Sequence, residues 1–68
     1  MEPTPEVKAK LIEAELQAYT NTEYQLELRA RIARKLEDKE GEKRITEELV
    51  RVAKAIDFLN EVMKEGVA

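Results

Sequence analysis

The sequence predicts an all-α fold: an antiparallel helical hairpin whose two arms carry enough apolar surface to associate into a helical bundle. Three observations point there. Apolar residues recur at alternating spacings of three and four over nearly the whole chain, the period that lines one face of an α-helix. The two prolines and two glycines lie at the chain ends except for Gly41, so little else breaks the backbone. The longest apolar run is two residues, as in Leu11-Ile12 or Leu49-Val50, too short for a buried strand and far short of the roughly 20 residues that span a bilayer.

The first helix is expected over about residues 5–39, after a frayed N-terminus at 1–4. Thr4 suits the cap because its hydroxyl can accept from an orphan N–H. Pro5 fits the first helical position, and Glu6 complements the helix dipole. One apolar stripe runs Val7, Leu11, Ala14, Ala18, Leu28 and Ile32, with Asn21 and Gln25 filling the two missing positions. A second, adjacent stripe runs Ile12, Leu16, Tyr19, Leu26, Ala30 and Ala33, with Glu23 in its gap. Together they exceed the roughly 100° that a helix with one partner needs.

Thr20 to Glu23 and Thr22 to Gln25 each match a capping box. They open an alternative, a three-helix bundle with a break near 20–22. No Gly or Pro supports that break, and the stripes keep register across it, so a continuous helix is the preferred reading.

Gly41, the only internal breaker, places the inter-helix turn at 40–42. The second helix then covers about 43–65, either from Glu42 or from a cap at Thr46 with an Ile45–Val50 staple. Its stripe, Ile45, Leu49, Val52, Ile56, Leu59 and Met63, has no gap. Ala55, Phe58 and Val62 form a shoulder beside it. Gly66, with Lys64 in the last turn, marks its end. A short linker makes the arms antiparallel neighbours.

Composition narrows function. With 68 residues the chain is one domain, 1–68, burying roughly 60% of its unfolded surface if it folds alone. It has no Cys, His or Trp, which removes disulfides, thiol nucleophiles and the commonest metal ligand and general base. No enzyme activity, cofactor or metal site is expected: the one-turn carboxylate pairs Glu23/Glu27 and Glu61/Glu65 lack the His of a di-iron bundle. The start of the chain has neither a secretory nor a transit pattern, so a cytoplasmic location without membrane attachment is expected. Abundant Glu, Lys and Arg with few amide side chains lean toward a heat-tolerant composition.

The expected function is self-association, a dimer forming a four-helix bundle being the simplest closed form. The residues expected in the interface or core are Leu11, Ala18, Leu28, Ile32, Ile45, Leu49, Val52, Ile56, Leu59 and Met63. Candidate contacts to a protein partner are Asn21, Tyr24, Arg31, Arg34 and Lys35, which a small regulator masking a target, antitoxin-like or phage-encoded, would use. Asn21 and Gln25 read more simply as a polar layer that fixes helix register.

Charge is uneven. Residues 1–28 hold 6 acids and 2 bases, and residues 29–54 hold 9 bases and 6 acids, within a net charge of −3. That bias suits pairing between antiparallel chains. Nucleic-acid binding at the basic tip is a weaker reading, because acids are interspersed and no aromatic platform is present. At helical spacing Glu6 can pair with Lys10, Glu27 with Arg31, Glu40 with Arg44 and Glu47 with Arg51, each worth about 0.2–0.5 kcal/mol.

Overall fold

In the computed structural model, which describes residues 2–66, two helices pack side by side as an antiparallel hairpin: α1 (Pro5–Lys35) and α2 (Lys39–Lys64). Thr4 caps α1 as expected: its backbone is extended (φ −66°, ψ 159°) and its side chain accepts from the Val7 N–H at 3.3 Å. Pro5 and Glu6 follow in the first turn. Of the residues expected to fray, Glu2, Pro3 and Thr4 are non-helical, and Met1 lies outside the described residues.

α1 runs unbroken through Thr20–Gln25, so the three-helix alternative does not form. The Thr22 hydroxyl donates to the Ala18 carbonyl at 3.0 Å, and Thr46 does the same to Glu42 at 2.8 Å. Both threonines therefore bond back to their own helix instead of capping a new one.

The turn differs from expectation. It lies at 36–38, not 40–42, so α1 ends earlier than 39 and α2 starts earlier than 43. The Glu37 N–H donates to the Arg34 carbonyl at 3.1 Å and the Asp38 N–H to the Ala33 carbonyl at 2.8 Å, the paired bonds of a Schellman end. That motif needs a left-handed residue, and here it is Glu37 (φ 59°) rather than a glycine. Asp38 closes one helix and opens the next: its carboxylate accepts from the Gly41 N–H at 2.9 Å. Gly41 thus sits inside the first turn of α2. A Cβ there would collide with the Asp38 carboxylate, meeting Oδ2 and, at 2.7 Å, Cγ. Gly66 (φ 92°) ends α2 where expected.

The hairpin sorts the two stripes of α1. The second stripe faces α2: Leu26, Ala30 and Ala33 are buried, and Ile12, Leu16, Tyr19 and Glu23 are half-buried. Opposite them Val52 is the most buried side chain at 5% exposure, flanked by half-buried Ile45, Leu49, Ile56, Leu59 and Met63. Leu28 and Ile32, expected to pack with that series, do not line this seam. Both are exposed, since they fall about 160° around the helix from Leu26 and Ala30 at 100° per residue. The stripes are closer to opposite than adjacent, with centres about 140° apart.

The seam is thin. Among the described residues no side chain is fully buried, and two of the four buried residues are alanines. The hairpin measures 50 × 18 × 15 Å with a radius of gyration of 15.6 Å, against about 11 Å for a compact domain of this length.

Candidate functional site

The outward face of α1 is the main unpartnered surface among the described residues. Val7, Leu11, Leu28 and Ile32 are exposed along it, Leu11 at 56% and Ile32 at 57%, with Ala14 and Ala18 between them. Leu36, 72% exposed at the hairpin tip, extends the line. Each lies on the side of α1 that α2 cannot reach, because a single neighbour covers only one stripe of a helix. These side chains fall in one line at helical spacing rather than scattered over the surface.

Asn21 and Gln25 interrupt the line midway, both exposed. The Asn21 Oδ1 accepts from Gln17 Nε2 at 3.5 Å, too long to satisfy that amide strongly. Of the expected interface residues, Leu11, Ala18, Leu28 and Ile32 thus lie on this outward face. Ile45, Leu49, Val52, Ile56, Leu59 and Met63 line the intramolecular seam.

The candidate partner contacts separate in the same way. Asn21, Tyr24, Arg31 and Lys35 are exposed along the flank of α1 turned away from α2. Arg34 is not with them: it reaches across the turn to Glu42, with Nε 2.8 Å from Oε2. Arg29 and Arg31 point about 160° apart, and Arg34 is already paired with Glu42.

Among the described residues the ion pairs are Glu2–Lys8 at 3.7 Å and Arg34–Glu42. The expected pairs Glu6–Lys10, Glu27–Arg31, Glu40–Arg44 and Glu47–Arg51 are not closed, as suits exposed charges whose pairing barely exceeds the entropy of holding two long side chains. No helix among these residues is long and apolar enough to cross a membrane, and no group of three or more acidic side chains gathers as a metal ion would need.

The apolar outward face was visible in the sequence as one stripe. Sequence reasoning missed that Leu26, Ala30 and Ala33, and not Leu28 and Ile32, form the hairpin core. Each stripe holds two alanines, and the difference is their place: Ala30 and Ala33 stand next to the turn, where the helices must approach closely, whereas the outward stripe has the larger Leu28 and Ile32 there. Comparison with known proteins finds no matching family model, no similar curated protein and no similar solved structure.

Proposed function

We propose that the chain is a non-enzymatic helical interaction module that associates with copies of itself. The observation that carries this reading is the row Val7, Leu11, Leu28, Ile32 and Leu36, left exposed on the side of α1 opposite its only intramolecular partner. Long helices draw their stability from tertiary packing of an apolar face. Here one of the two apolar faces of α1 has nothing against it, and the seam under the other is thin.

The energetic incentive follows from burial. Completing the burial of a side chain that is already about half covered gains roughly 1 kcal/mol, half of the 1.5–3 kcal/mol for a full Leu or Ile. Five such residues on each of two copies bring several kcal/mol to the interface, enough to stand against the cost of association.

Light scattering after size exclusion, over a series of protein concentrations, tests the proposal. A mass of twice the 7.8 kDa chain or more, falling toward the monomer on dilution, is the expected result. A monomer at every concentration overturns self-association and leaves the outward face to a different protein.

A further inference from the structure

We infer that two copies pair antiparallel through the outward faces of α1, in the register that sets Asn21 against the partner's Gln25. The inference rests on the self-association reading and adds orientation, register and the residues that fix them. Treating the outward line as a coiled-coil seam makes Leu11, Ala18, Gln25 and Ile32 one set of core positions and Val7, Ala14, Asn21 and Leu28 the other. In an antiparallel pair the two sets face each other.

Side-chain volume selects among the arrangements. In this register Ala18 lies opposite the partner's Leu28, and Ala14 opposite the partner's Ile32. Every apolar layer then holds one small and one large residue, and the helix axes keep an even spacing. A parallel pair would set Ala14 and Ala18 against their own copies and every larger residue, Val7 and Leu11 as well as Leu28 and Ile32, against its own, pinching the pair at 14–18 between wider layers on either side. Layers so unequal do not fill space at native density.

Polar and charged groups select the same register. The two-fold axis passes between Asn21 and Gln25, giving two amide pairs in which each side chain offers both a donor and an acceptor. Glu15 then flanks the partner's Arg29, twice per dimer. Both are exposed, and neither has an ion pair within its own chain among the described residues. Sliding one copy by a heptad removes this match: Lys8 would face the partner's Arg29, and Lys10 the partner's Arg31. Like charges at those flanks oppose pairing. At the ends, Leu11 lies opposite the partner's Lys35, whose aliphatic stem can cover it, and beside the partner's Leu36, the large apolar side chain exposed at the tip.

The absence of native cysteine allows single spin labels at Thr22→Cys or at Lys10→Cys, with inter-label distances read by pulsed electron resonance. Labels at 22 should lie close together, across helices separated by about 10 Å. Labels at 10 should lie about 40 Å apart at 1.5 Å per residue. Short distances at both sites in a dimer would overturn the antiparallel arrangement while leaving self-association standing; a monomeric mass would overturn both.

Charge exchange gives an independent reading. Glu15→Arg and Arg29→Glu should each raise the dimer dissociation constant roughly fivefold at low salt, and the two together in one chain should restore it. In a parallel dimer Glu15 flanks the partner's Lys10, and the double variant would not recover; that outcome refutes the register.

Discussion

Gly41 and Asp38 should be energetically coupled, and the coupling has a magnitude. Asp38 has ψ 85°, short of the more extended backbone usual for a cap, and its carboxylate lies over the Gly41 Cα, where an added Cβ would need to go. Replacing Gly41 with Ala gains about 1 kcal/mol of helix propensity. The same change expels the carboxylate and forfeits a cap worth about 1 kcal/mol. The two effects nearly cancel, so Gly41→Ala alone should leave stability within about 0.5 kcal/mol of the parent. Asp38→Ala should cost about 1 kcal/mol through loss of the cap. In that background Gly41→Ala meets no carboxylate and should recover the full propensity gain of about 1 kcal/mol. The cycle therefore predicts a coupling of about 1 kcal/mol, equivalent to about 4–8 °C in Tm. Thermal and urea melts followed by circular dichroism would measure it, at one fixed protein concentration because association shifts the midpoint. A gain of about 1 kcal/mol from Gly41→Ala in both backgrounds would refute the competition between Cβ and carboxylate.

Glu37→Gly should stabilise the hairpin by about 0.5–1 kcal/mol: the left-handed backbone at Glu37 (φ 59°) costs an L-residue about 1–2 kcal/mol, and glycine's extra unfolded freedom returns only part of that. A lower urea midpoint for this variant would contradict the assigned turn. Val52→Ala removes the most buried side chain and should cost about 2 kcal/mol, lowering the melting temperature at every protein concentration. Ile32→Ala, on the outward face, should instead weaken the concentration dependence of the melt while leaving the dilute-limit midpoint within about 2 °C. Equal effects from the two substitutions at all concentrations would mean that the two faces of α1 are not separable.

The helical class and the antiparallel pairing were legible because three-and-four spacing and a single internal glycine leave few alternatives. The start of α1 was legible for a local reason: Thr4-Pro5-Glu6 carries cap, first-turn proline and dipole partner in three consecutive residues. The end of α1 was not. Its left-handed position is Glu37, which carries no sequence mark, while the glycine that resembles a turn serves to make room for the Asp38 carboxylate. At the end of α2, where glycine does occupy the left-handed position, Gly66 was read correctly. The two stripes of α1 were visible, but periodicity alone does not say which one a neighbour covers. The choice falls to close approach, and Ala30 and Ala33 permit it where Leu28 and Ile32 would hold the helices apart.

The angle between those stripes bears on the shape any assembly takes. In a square four-helix bundle each helix meets its two neighbours at about 90°, whereas the covered and uncovered faces of α1 lie about 140° apart. Two hairpins joined through the uncovered faces therefore line up as an arched row, with the pair of α1 helices in the middle and an α2 on each outer side, rather than closing on themselves. The outer helices of such a row gain no new neighbour. Phe58 and Val50, both exposed on the side of α2 away from the seam, stay uncovered in it. Self-association through α1, as proposed, would satisfy the apolar line on that helix and leave a separate, smaller apolar surface on α2, which a second kind of contact would have to account for.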